Sequence, residues 1–171
     1  MIALGSVTLV RLALPLLLWW QVFWGYVINV VLDSVDGDIL ARFGVRRDFY
    51  QEWDKWMDLW FSLAIGWYVW TGFERDLIWW ILGIVLVWRI LGTVLFVLTK
   101  KEWILILFPH LQWKLFFIAL VFPSWYEVEM VLPAPWPLLL MVLGVTIVFE
   151  WILHVAKWDT TALLLGIKRK W

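Results

Sequence analysis

The chain of 171 residues contains no cysteine, so neither a disulfide framework nor a thiolate metal site is open to it. An excess of one charge is missing too. Fourteen Lys and Arg balance fourteen Asp and Glu, and a net charge of zero excludes a strong polyelectrolyte partner such as nucleic acid. There is no internal repeat, no low-complexity segment and no stretch polar enough for a separate soluble domain. The first apolar run lacks a basic leader and a small-residue cleavage site and contains Arg11, so it reads as a retained helix rather than a signal peptide. What fills the chain is apolar: 64% of residues are hydrophobic and the mean hydropathy is +0.86. Soluble domains sit nearer half apolar, and the runs here are long enough to cross a bilayer. Eighteen tryptophans, many near the ends of those runs, suit the water–lipid interface.

Charged and Gly/Pro-containing breaks divide the chain into six spans, at 3–22, 24–42, 49–70, 77–98, 103–122 and 135–156. Short links predict antiparallel neighbours in one all-α bundle, a single transmembrane domain covering residues 1–171. The basic residues Arg42, Arg46, Arg47, Lys100, Lys101, Lys157, Lys168, Arg169 and Lys170 fall on one side of that arrangement. Arg75 alone falls on the other, with Glu74, Asp76, Glu127 and Glu129. The positive-inside rule therefore predicts both termini in the cytoplasm. Asp48 followed by Gln51 predicts a capping box at the start of the third helix.

Four aspartates lie within these spans. Asn29, Asp33 and Asp36 share one face of the second helix, and Tyr50, Asp54 and Asp58 share one face of the third. A short basic loop joins the two helices, so the faces can meet at the cytoplasmic side. Four carboxylates cannot all remain ionised together in a low-dielectric bundle. Either several carry protons or a cation holds them. Oxygen-only ligands select a hard ion, Mg²⁺ or Mn²⁺, with Ca²⁺ as the other choice. Four carboxylates can bridge two such ions, an arrangement suited to neutralising phosphoryl oxygens during displacement.

The segment "DSVDGDILAR" followed by "DKWMD" resembles the signature of the CDP-alcohol phosphotransferases, six-helix membrane enzymes of phospholipid synthesis. That signature is D-x2-D-G-x2-A-R-x8-G-x3-D-x3-D, and Asp33, Asp36, Gly37, Asp54 and Asp58 stand in its register. "VTLVRLALP", with Thr8, Arg11 and Pro15, is similar to the family's first helix. Two positions depart from the pattern: the Ala-Arg pair falls one residue late, at Ala41 and Arg42, and Tyr50 replaces the second glycine. The resemblance implies Asp33, Asp36 and Asp54 as ligands of a metal pair. It implies Asp58 as the base that deprotonates the acceptor hydroxyl, touching a metal as well. Gly37, Ala41 and Arg42 would contact the cytidine nucleotide donor. It further implies transfer of a phosphatidyl group from a CDP-linked lipid, CDP-diacylglycerol, to a small alcohol with release of CMP. The setting would be the inner (plasma) membrane, with the site on its cytoplasmic face and a homodimer as the assembly.

Other polar residues interrupt the apolar runs. Arg89 lies in the fourth span, and Pro109, His110, Gln112 and Lys114 lie in the fifth. Arg89, His110 and Lys114 read either as a pocket for an anionic acceptor or, more plainly, as an ion pair with an aspartate and a snorkelling lysine. Pro109 predicts a kink, and Glu150 with His154, at i and i+4, predicts a structural polar pair. Two rival functions stay open at this stage. One is a divalent-cation-binding protein, either a transporter or a non-catalytic relative. The other is an aspartate-rich prenyltransferase, which would carry a different aspartate spacing and more helices.

Overall fold

The computed structural model describes residues 2–101, 103–121 and 136–154, and among these it is all helical with no strand. The order is α1 (Ile2–Ala13), a 3-10 segment (Leu14–Trp19), α2 (Val22–Arg42), α3 (Arg47–Gly72), α4 (Leu77–Thr99), α5 (Ile104–Leu107), α6 (Leu111–Val121) and α7 (Trp136–His154). Among the described residues, three stretches are long and apolar enough to cross a membrane: Ile2–Trp19, Leu77–Thr99 and Ile104–Val121. The side chains of Glu150 and His154 lie outside the described residues, as do Glu127, Glu129, Lys157 and the basic residues 168–170. The described residues divide into two compact units, one up to Ala64 and one from Ile65 onward, and the division falls inside α3.

In the first unit, proline ends the regular helix. Pro15 has no N–H, and α1 tightens into the 3-10 segment around it, so the expected 3–22 span is not one continuous α-helix. A 3-10 turn would need an N–H at Pro15 to reach the Leu12 carbonyl. That carbonyl instead accepts the Trp60 indole of α3 at 3.1 Å. One turn earlier, Trp53 donates to the Thr8 hydroxyl at 3.0 Å. These two indoles tie α1 to α3 on either side of Arg11. The 3-10 segment lies so close to α2 that a Cβ on Gly25 would come within 2.9 Å of the Leu17 and Leu18 backbone. Asn29, expected on the aspartate face, donates to the Gly25 carbonyl at 2.8 Å.

The α2–α3 turn sets the relation of the two aspartate helices. Val45 N–H reaches the Leu40 carbonyl and Gly44 N–H the Ala41 carbonyl, both at 3.1 Å, with Gly44 at φ 75°. This is a Schellman closure, and it requires a left-handed residue after the helix. α3 begins at Arg47, so Asp48 lies inside its first turn and not at the cap; there it is exposed and pairs with Arg46 at 3.5 Å. Its charge still faces the positive end of the helix.

In the second unit, Asp76 caps α4 by accepting from Trp79 N–H at 2.9 Å. The expected 103–122 span is broken at Phe108–His110, where Pro109 interrupts the ladder between α5 and α6. The break leaves carbonyls open, and α4 supplies donors. Trp88 donates to Leu107 O at 2.9 Å and Arg89 to Phe108 O at 2.8 Å, while Gly92 makes room for the Phe108 ring. Phe116 of α6 packs edge-on against Tyr68 at 5.9 Å, and Trp70 meets Trp79 at 5.0 Å.

Exposed faces are apolar. Trp80, Ile84, Val87, Leu91, Leu95 and Leu98 line one side of α4, and Trp24, Ile28, Val31 and Val35 one side of α2. Stripes of that length are poor surfaces for water and good ones for lipid.

Candidate metal centre

The first unit gathers the four aspartates around a single arginine. Arg11 of α1 is 3% exposed, and its three guanidinium nitrogens all face carboxylates. Nη1 lies 2.8 Å from Asp33 Oδ1 and Nε 3.5 Å from Asp36 Oδ2. Nη2 lies 3.4 Å from Asp58 Oδ1 and 3.9 Å from Asp54 Oδ1. Lys55 adds a second positive charge, with Nζ 2.8 Å from Asp54 Oδ2 and 2.9 Å from Asp58 Oδ2. The Arg11 guanidinium also stands 6.0 Å from the Trp53 ring.

Tyr50 closes the cluster from the α3 side. Its hydroxyl donates to Asp36 Oδ1 at 2.7 Å and lies 3.4 Å from Asp54 Oδ1. The ring is buried with Leu40 and Trp53, and Leu4, Val7, Val45 and Met57 pack against that group. The bulky residue in the glycine position of the expected signature is thus part of the site, one turn before Asp54.

The donor set fits a hard divalent cation. Asp33, Asp36 and Asp54 each present an oxygen, and these oxygens lie within 4.8 Å of one another. Asp36 is fully buried, and its Oδ2 makes no hydrogen bond; its nearest described cation is Arg11 Nε. A buried carboxylate oxygen left in that state is costly unless a cation completes it. Asp58 stands outside this triad, with one oxygen facing Arg11 and the other held by Lys55.

The expected nucleotide contacts separate. Gly37 is buried on α2 and Ala41 is half-buried, whereas Arg42 is exposed as the last residue of the helix. α2 stays α-helical through the "DILAR" stretch, without the unwinding that would reset its register. At ~100° per residue, Arg42 stands about half a turn away from Asp33. The arginine brought to the aspartates is Arg11, from another helix. The signal that could have found it is a lone arginine inside an apolar helix, which needs a buried acidic partner. Lys55 was missed as well, although its i, i+3 spacing to Asp58 was legible.

Arg89, His110 and Lys114 do come together, within the second unit. Arg89 is 1% exposed and its Nη2 contacts His110 Nε2, while Lys114 Nζ lies 3.4 Å from the His110 carbonyl. With its bond to Phe108 O, Arg89 supports the backbone at the Pro109 break. No protein-family model, curated protein or solved structure matches the chain.

Proposed function

We propose that the chain is a membrane transferase that moves a phosphatidyl group from a CDP-linked lipid, CDP-diacylglycerol, to a small alcohol, releasing CMP. The observation that carries this reading is the convergence of Asp33, Asp36 and Asp54 within 4.8 Å, with Asp58 one turn beyond Asp54 on the same helix. The signature read in the sequence assigns those positions to this chemistry. Asp33, Asp36 and Asp54 would hold Mg²⁺ or Mn²⁺, which when bound neutralises the pyrophosphate oxygens of the donor. Asp58 takes the proton of the incoming hydroxyl. The alcohol oxygen then forms its bond to the phosphatidyl phosphorus, and the bond from that phosphorus to CMP breaks, its electron pair leaving with CMP. Gly37 and Ala41 line the donor side, whereas Arg42 stays at the helix end.

The topology that goes with this reading has six spans, both termini and the aspartates being at the cytoplasmic face of the inner membrane. Helices among the described residues near each expected span support it, α1 with the 3-10 segment covering the first and α5 with α6 the fifth, as do the apolar faces of α2 and α4.

The test is CMP release from CDP-diacylglycerol by purified protein with Mg²⁺ or Mn²⁺, across glycerol 3-phosphate, inositol phosphates, serine and simple alcohols. Turnover with one of these is expected, and Asp58→Asn should abolish it while the circular dichroism spectrum holds. No CMP with any acceptor would end the transferase reading.

One observation favours a second reading. Arg11 and Lys55 already compensate part of the cluster's charge, as a cation-binding or structural polar centre without turnover would require. Divalent-ion binding that is indifferent to cytidine nucleotide would support that alternative.

A further inference from the structure

We infer that this site takes one divalent cation per chain, on Asp33, Asp36 and Asp54, because Arg11 occupies the position of a second. The inference rests on reading the aspartates as a metal centre and narrows the pair of ions that their number alone suggests.

Charge is the first reason. Four carboxylates bring four negative charges, and Arg11 and Lys55, both within ion-pair distance, return two positive ones. One divalent ion brings the remainder to neutrality. A second would leave two uncompensated positive charges in a buried, low-dielectric site.

Available oxygens are the second reason. Asp58 faces Arg11 with one oxygen and Lys55 with the other, and Asp54 Oδ2 also goes to Lys55. Asp33, Asp36 and Asp54 also lie 2.8, 3.5 and 3.9 Å from Arg11, and their three clustered oxygens are enough for a single ion completed by water, as Mg²⁺ prefers. The Oδ1 atoms of Asp33, Asp54 and Asp58 all face the guanidinium, at 2.8, 3.9 and 3.4 Å, so Arg11 already supplies them with a cation. Arginine cannot relieve the conflict by losing its proton.

Rigidity is the third reason. Arg11 does not reach in from a mobile arm. Trp53 on Thr8 and Trp60 on the Leu12 carbonyl fix α1 to α3 immediately around it. The second cation is therefore built into the fold.

The experiment is a Mn²⁺ titration of the full chain in detergent after chelator treatment, with free Mn²⁺ counted by electron paramagnetic resonance. The wild type should bind one Mn²⁺ with the spectrum of an isolated ion. Arg11→Gln should bind two, with the broadened spectrum of a spin-coupled pair, and Arg11→Lys should return to one. If Arg11→Gln fails to fold, the wild-type count and line shape decide alone. Two coupled ions in the wild type, or none, overturn the inference. One bound ion without CMP release leaves it standing and removes the transferase reading instead.

Discussion

Tyr50 sets its hydroxyl against two of the aspartates. It donates to Asp36 Oδ1 and leaves Asp36 Oδ2 as the oxygen without a hydrogen bond, so it selects which atom of that carboxylate a cation would meet. Groups that orient metal ligands are usually worth ten- to hundred-fold in metal affinity. Tyr50→Phe should weaken Mn²⁺ binding by about that factor, measured in the same titration, without altering helix content. Arg11 differs in kind, because removing it strands several buried carboxylates at once. Such a loss typically costs about 3–5 kcal/mol. Arg11→Ala should therefore lower the unfolding midpoint sharply in chelator, and added Mn²⁺ should restore part of it; an unchanged midpoint would contradict the geometry. The aspartate faces were legible because residues three and four apart on a helix must be neighbours. Arg11 was not, since it lies 22 residues from Asp33 and 47 from Asp58, and no local period links them.

Among the elements, the contact between α2 and the 3-10 segment and the turn after α2 set the aspartate helices in place. Gly25 permits the first and Gly44 the second. A side chain at Gly25 would press on backbone, which cannot rotate away. Gly25→Val should destabilise by about 1–3 kcal/mol, seen as a lower midpoint in detergent melts. Gly44→Val should cost roughly 1–2 kcal/mol for a left-handed β-branched residue, and the same melts would detect it. The all-helical character could be read from apolar run length and breaks. The breaks inside two expected spans, at Pro15 and Pro109, are coupled to partners elsewhere. Trp60 answers the first, and Trp88 with Arg89 answers the second. A proline announces a missing N–H but does not say which distant donor will serve the carbonyl it leaves open.

At the scale of the whole molecule stands the proposed orientation, with both termini in the cytoplasm. Three stretches are long and apolar enough to cross a membrane, and α2 and α4 each turn an apolar stripe outward. Because the chain has no cysteine, single cysteines report topology without background. Val45→Cys and Lys101→Cys should react with a membrane-impermeant maleimide only in inside-out vesicles, and Glu74→Cys only in right-side-out ones. Labelling of Val45→Cys from outside would reverse the orientation and place the aspartates on the opposite face. That outcome would contradict the proposed cytoplasmic-face site.

The sequence by itself determined the membrane character, the helical runs and the alignment of Asp33 with Asp36 and of Asp54 with Asp58. Those follow from composition and from the 3.6-residue period, which act over a few residues. Tertiary structure decided which cation faces the aspartates, that Arg42 stays at the end of α2, and that Tyr50 bonds Asp36. The first and third depend on how one helix is set against another, whereas Arg42 is placed by α2 remaining helical to its last residue. Gly25, Gly44 and the tryptophans on α3 govern that setting in the first unit, and the tryptophans do so through contacts 45 and 48 residues apart that no short window of the chain contains.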